Sequence, residues 1–171
     1  MLSAGSQAER ALLLELKGVF RDRAEQEHYM ADAWVRIQVV LDILSNLHGQ
    51  GARRVLELGS NPYLMTVLMQ RRFDFELELA NYFERLTGTE SVHVAELAGK
   101  RIEFPFRHFN LERDVFPYAD SSFDCVLFCE ILEHLLAHPD HAVGEMARVV
   151  RPGGSLVVST PNATRLTNLF F

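Results

Sequence analysis

The stretch Arg54-Val55-Leu56-Glu57-Leu58-Gly59 constrains the fold more than any other. It is a short apolar run ending on a glycine, the pattern of a buried strand. Ser60-Asn61-Pro62-Tyr63 follows, and then a helical stretch from Leu64 to Arg71. A strand, a glycine turn and a helix open a parallel α/β unit, in which ligands sit beyond the carboxyl ends of the strands near the switch in strand order. A glycine at that place lets the backbone approach a ligand closely, and the helix N-terminus offers free amides. Glu57 would repel a phosphate there and suits a cationic ligand. The Gly-x-Gly-x-x-Gly fingerprint is absent, which argues against a nicotinamide dehydrogenase.

The rest of the chain repeats the alternation. Phe75-Glu76-Leu77-Glu78-Leu79 reads as a second strand, and residues 92–106 as a hairpin turning at Ala98-Gly99-Lys100. Phe106 to Leu111 gives a third core strand, Phe123 to Phe128 a fourth, and Leu156-Val157-Val158-Ser159 a fifth. Pro139 opens a helix whose buried face is Ala142, Val143, Met146, Ala147 and Val150, and Arg151-Pro152-Gly153-Gly154 stops it. Upstream, residues 7–48 read as helical in two or three pieces. Ala11, Leu12, Leu14, Leu16 and Phe20 form one apolar side, and Trp34, Ile37, Val40, Leu41, Ile43 and Leu44 form another. The expected architecture is a doubly wound, mainly parallel sheet preceded by helices. Residues 1–50 form a helical segment on the lid or substrate side, and residues 51–171 form the α/β core.

Two further strand ends carry candidate ligand contacts. About twenty residues after Gly59, an acceptor closing the second strand can take both hydroxyls of a ribose. Glu78 is the first choice and Asn81 the second, against the alternative that Glu78 is the polar side of an alternating strand. At the end of the third strand, the Asn110 amide oxygen can accept from an adenine amino group while Leu111 packs on the ring. The alternative there is an Asn in a turn with Leu111 in the core.

Four segments together resemble the class I, Rossmann-like S-adenosylmethionine-dependent methyltransferases. They are Val55-Leu56-Glu57-Leu58-Gly59, Phe116 to Asp124, Glu130-Ile131-Leu132-Glu133-His134-Leu135, and Glu145 to Gly154. The resemblance covers about residues 50–163 and points to a sub-group with a Gly-x-Asn-Pro-Tyr first motif. It implies S-adenosylmethionine as cofactor, S-adenosylhomocysteine as product, and SN2 transfer of the methyl group from the sulfonium. Glu57 and Gly59 would face the methionine part, with Asn61 and Tyr63 standing where the family has further glycines. Glu78 or Asn81 would face the ribose, and Asn110 with Leu111 the adenine. Phe128, Cys129 and Glu130 would line the site at the end of the fourth strand. His134 is the candidate base for an acceptor that must lose a proton, the alternative being that Glu133 and His134 brace the loop. His28, Tyr29 and Trp34 lie on helices that form a substrate lid in this family, core packing being the other role for Trp34.

The implied acceptor is a small molecule, a sugar or cell-envelope intermediate among the options. The competing reading is a cofactor-binding or interaction module without transferase activity. A formal net charge of −6 with no basic run argues against a nucleic-acid partner. No apolar run is long enough to span a bilayer, so the expected location is cytoplasmic. Cys125 and Cys129 would lie roughly 13 Å apart on one strand, too far for a disulfide. His134, His138 and His141 straddle a break between loop and helix, and no metal site is expected. The family's sheet has seven strands, while this sequence ends with Thr167-Asn168-Leu169-Phe170-Phe171 soon after the fifth. The expectation is therefore that C-terminal strands six and seven are missing, with a fragment of a longer protein as the first explanation, another subunit covering the edge as the second and a short form that binds cofactor without catalysis as the third; the fifth strand is then an open edge through which copies can associate.

Overall fold

A computed structural model of the chain describes residues 4–161; the terminal Thr167–Phe171 segment lies outside them. Helix α1 (Ala4–Leu13), a short strand β1 (Leu16–Lys17) and the long helix α2 (Arg23–Gly49) precede the glycine-ended strand β2 (Arg54–Leu58). Helix α3 (Leu64–Arg72), β3 (Glu76–Asn81), β4 (Glu90–Leu97) and β5 (Lys100–His108) follow. The chain then forms β6 (Phe123–Cys129), a 3-10 turn (Leu132–His134), α4 (Pro139–Val149) and β7 (Val150–Ser159).

The strands form one sheet in the order β1-β4-β5-β3-β2-β6-β7. The pairs β5/β3, β3/β2, β2/β6 and β6/β7 are parallel, while β1/β4 and β4/β5 are antiparallel. This corrects the expected fold class. The parallel core is there, but the sheet as a whole is mixed, and strands β6 and β7 are present, not missing. The reason is physical. The hairpin read over residues 92–106 and the third core strand read from Phe106 are one continuous structure, because β5 pairs with β4 on one side and with β3 on the other. The two residues Leu16 and Lys17, read as helical, then pair with Leu97 and Glu96 on β4. Strand order reverses at β2, whose neighbours are β3 on one side and β6 on the other. A crevice for a ligand opens at such a reversal.

Helices cover the two faces unequally. On one face, Met30, Trp34, Leu41 and Leu44 of α2 pack with Val55, Leu68, Phe104 and Leu127. Leu13 and Leu16 belong to the same core. The stripe read on α2 is buried at Trp34, Ile37, Val40, Leu41 and Leu44, whereas Ile43 is exposed. Asp22 caps this helix by accepting from the Glu25 backbone N–H at 2.9 Å. On the other face, Met146 and Val149 of α4 pack with Leu56, Phe116, Phe123 and Phe128.

The Glu145–Gly154 segment has a structural task. Arg148 donates to the carbonyls of Phe116 (3.1 Å) and Tyr118 (2.9 Å) and to Asp120 Oδ1 (2.7 Å). It also pairs with Glu145, which accepts from the Phe116 N–H at 2.7 Å. One arginine thus fixes the loop that leads into β6. Arg148→Ala removes these charge-assisted bonds and leaves Glu145 without its cation. It is expected to lower the unfolding free energy by about 2–3 kcal/mol, measured as a reduced urea midpoint at unchanged m-value.

Candidate functional site

Parallel register brings five strand ends level. Leu58 pairs with Ala80 and with Phe128, Asn81 with His108, and Cys129 with Ser159. Two cavities open above this line. The larger, about 490 Å³, is lined by Gly59, Asn61, Ala80 to Glu84, Phe109 to Arg113, Ile131, His134 and Leu135. The smaller, about 90 Å³, lies beneath α2 and is bordered by Tyr29, Arg36, Glu57, Cys129, Glu130 and Ser159 among others. Gly59, Asn61 and Ile131 border both, so the two read as parts of one cleft folded over Gly59. The larger part alone falls within the ~300–1,000 Å³ range of small-molecule sites.

Gly59 suits its position. Its φ is +68°, left-handed backbone that side chains rarely adopt, and a Cβ there would crowd the Ile131 side chain. The loop after it is held by one side chain. Asn81 Oδ1 accepts from the Asn61 N–H at 2.9 Å, and Asn81 Nδ2 donates to Ser60 Oγ (2.8 Å) and Tyr63 Oη (3.2 Å). Left-handed backbone falls on Tyr63, with φ at +65° at the start of α3. This conformation costs a non-glycine residue roughly 1–2 kcal/mol. The Tyr63 ring offsets it by stacking on Phe104 with centroids 4.2 Å apart. Tyr63 is fully buried there and lines neither cavity.

Glu57 is a buried carboxylate, 6% exposed, whose Oε2 accepts from Thr66 Oγ1 at 2.6 Å. Desolvation pushes its pKa up to about 8, against the lowering effect of the Thr66 bond. No cation among the described residues pairs with it. Glu130, also at left-handed φ (+57°), lies 3.1 Å from Arg36 Nε through Oε2, and its Oε1 accepts from Ser159 Oγ at 2.8 Å. Burial raises the Cys129 thiol to about 11, so it is neutral at the edge of the smaller cavity.

The structure therefore gathers Glu57, Gly59, Asn61, Asn81, Asn110, Leu111, Cys129, Glu130 and His134 around one cleft. It does not bring Glu78 there. Glu78 pairs with Leu56 and lines a separate surface hollow with Glu90 and Arg107. The strand runs two residues past Leu79, so its end falls at Asn81. Phe128 is buried on the α4 face. Asn110 Oδ1 accepts from the Glu112 N–H at 2.9 Å, closing a turn, while Asn110 and Leu111 still line the larger cavity. Sequence reasoning missed Glu84, an exposed acid on the wall of the larger cavity, and Ile131, which closes over Gly59. It also missed Glu112, which accepts from the Ala137 (2.6 Å) and His138 (2.8 Å) N–H groups and pins the loop beyond His134. His134 stands at the rim, its side chain 74% exposed.

A family model described as "Methyltransferase domain" matches residues 73–158. The chain belongs to this family, within the class I S-adenosylmethionine-dependent methyltransferases. A ubiquinone biosynthesis O-methyltransferase of Alkalilimnicola ehrlichii is 31% identical over 139 residues, which is 80% of this chain and 51% of that protein. A protein of Mycolicibacterium smegmatis named as an S-adenosylmethionine-dependent methyltransferase is 41% identical over 87 residues, covering 49% of this chain and 32% of that one. The chain thus spans about half or less of the length of these curated relatives. A SAM-dependent methyltransferase from Archaeoglobus fulgidus has the same fold, with a TM-score of 0.51 at 18% identity over 83% of this chain and 62% of the other. Among the described residues, no helix is long and apolar enough to cross a membrane, and no three His, Cys, Asp or Glu residues are grouped to hold a metal ion.

The cleft fits the family's cofactor on one physical ground above all. A buried carboxylate without a cationic partner sits where a positively charged ligand end would neutralise it.

Glu57 also makes a prediction about pH. A carboxyl whose folded pKa lies above its unfolded value of 4.5 holds its proton longer in the folded state. Its contribution is therefore fully present below about 4.5 and is lost as pH rises through about 8. Between pH 6 and 8.5, the melting temperature of Glu57→Gln should fall less than that of the native chain. Equal slopes in a thermal denaturation series would remove Glu57 as the titrating group.

Proposed function

We propose that this chain binds S-adenosylmethionine across the Gly59 cleft and transfers its methyl group to a small-molecule acceptor. The observation that carries the reading is the buried, unpaired Glu57 carboxylate beside Gly59 at the point where strand order reverses. In this reading, Glu57 faces the ammonium of the methionine end, with Cys129 and Glu130 nearby. Asn81, with Glu84 on the same wall, faces the ribose. Asn110 and Leu111 hold the adenine in the larger cavity. When bound, the cofactor supplies a methyl group on a cationic sulfur that is already an activated leaving group. The protein's share is alignment and exclusion of water. Residues 1–50 serve as the lid and substrate side, since α2 roofs the smaller cavity.

The O-methyltransferase named among the relatives supports a hydroxyl acceptor, and sugar or cell-envelope intermediates fall within that class. A hydroxyl must lose its proton as the methyl group arrives. His134, on the rim of the larger cavity, is placed to accept it. Self-association belongs to the same proposal: β7 is the last strand of the sheet, with Leu156 and Val158 exposed.

The test is turnover with S-adenosylmethionine and a panel of hydroxylated small molecules. Formation of S-adenosylhomocysteine that depends on one acceptor class is expected. His134→Ala should lower kcat by about 10²-fold or more without changing the KM for S-adenosylmethionine. Cofactor binding without turnover on any acceptor would favour a binding module instead.

A further inference from the structure

Two buried polar side chains stand at neighbouring strand ends beside the cleft. Asn81 closes β3 and ties down the loop after β2. His108 closes β5, pairs in register with Asn81, and is 8% exposed. Its ring faces the segment 82–89, which joins β3 to β4. Nδ1 lies 3.0 Å from the Gly88 carbonyl oxygen. Nε2 lies 3.0 Å from the Phe83 backbone nitrogen and 3.1 Å from the Phe83 carbonyl oxygen. The His108 backbone N–H donates to the Thr89 carbonyl at 2.9 Å. The Tyr82 ring lies nearly parallel to the imidazole, with centroids 5.3 Å apart and planes at 9°.

These partners assign the ring's hydrogen. Nδ1 meets a carbonyl and therefore donates; in the neutral ring, Nε2 then accepts from the Phe83 N–H. One side chain thus pins both ends of the segment. Between them the Leu86 N–H closes a tight turn on the Phe83 carbonyl at 2.9 Å, with Glu84 directly after the pinned residue. Tyr82, Phe83 and Glu84 line the larger cavity. Asn81, the neighbouring polar group on that wall, already bonds Ser60, Asn61 and Tyr63. The exposed Glu84 carboxylate is left to meet ligand hydroxyls. An apolar side chain at position 108 would strand the Phe83 N–H and the Gly88 carbonyl, and the turn would lose its fixed points.

We propose that His108 is a positioning residue for cofactor binding, holding the turn after β3 so that the Glu84 carboxylate faces the ribose hydroxyls. The inference rests on the proposed cofactor reading and deepens it by naming what fixes the ribose wall. His108 borders an outer hollow and not the larger cavity, so it acts through Glu84 and not by touching the ligand. The physical gain is preorganisation. A carboxylate on a loose surface turn must be ordered when the ligand binds, whereas one on a turn pinned at Phe83 and Gly88 is ordered beforehand.

The experiment compares two ligands by calorimetric titration of the full 171-residue chain. One is S-adenosylhomocysteine, the other its 2′-deoxy analogue. The native chain should prefer the first by about tenfold or more, the scale of a hydrogen bond to a charged group. Glu84→Ala and His108→Phe should each abolish that preference and bind the deoxy analogue as the native chain does. Because His108 acts through Glu84, the double variant should bind S-adenosylhomocysteine no more weakly than either single one. His108→Gln, whose amide oxygen can accept from the Phe83 N–H, should restore part of the preference. Should His108→Phe not fold, His108→Asn takes its place with the same expected loss, since it keeps a donor for Gly88 but is too short to reach Phe83. A preference that survives in His108→Phe or His108→Asn would overturn the inference. So would multiplied losses in the double variant, or an equal loss of both ligands in the His108 variants, which marks a merely structural role. Equal native affinities would overturn it together with the ribose placement. A native chain that binds neither ligand would overturn the cofactor reading itself.

Discussion

The cleft depends on the amide of Asn81. It stands at the carboxyl end of β3, buried, and its oxygen and nitrogen both reach across to the loop after β2. One side chain thus ties two neighbouring strand ends together. It fixes Ser60 and Asn61, meets the hydroxyl of Tyr63, and so sets the start of α3. A planar amide can do this because it donates and accepts at once. A carboxylate in its place would accept from Asn61 but could not donate to Ser60. The loop has only one glycine at its head, and the Asn81 network together with the Tyr63–Phe104 stack offsets the left-handed backbone at Tyr63.

Around that fixed loop the site has two parts. The larger part of the cleft is bounded by Phe109, Leu111, Ile131 and Leu135, with polar groups from Asn81, Glu84 and Asn110. The smaller part holds Arg36, Glu57 and Glu130 under α2. Burial acts on two of the groups there. It raises the Glu57 carboxyl and the Cys129 thiol toward their neutral forms. Ionised Glu57 needs a cation, and a cationic ligand supplies one.

Much of the parallel core was legible because buried strands write short apolar runs bounded by glycine and proline. β2, β3, β6 and α4 lie within two residues of where the pattern puts them, and the hairpin turns at Ala98-Gly99 as read. The seven-strand sheet was not legible. Two residues, Leu16 and Lys17, are too few to show any period, and whether the hairpin joins the sheet is decided by tertiary pairing. The candidate site shows the same division. Gly59 and Glu57 were readable because a glycine and an acid are conspicuous after an apolar run. Glu78 lies outside the cleft, since alternation gives a strand's face but not its end, and so does Tyr63, since nothing local announces that an aromatic residue will adopt left-handed backbone. Arg36 lies about twenty residues from the motif that it faces, beyond the reach of any local pattern.

The most direct measurement is titration of the chain with S-adenosylhomocysteine at pH 7 in two buffers of different ionisation enthalpy. Burial keeps Glu57 mostly protonated at that pH, and meeting the ligand's ammonium requires it to ionise. The account predicts saturable binding with an apparent enthalpy that differs between the buffers in the direction of net proton release. No binding by the folded chain, or binding without proton release, would contradict it.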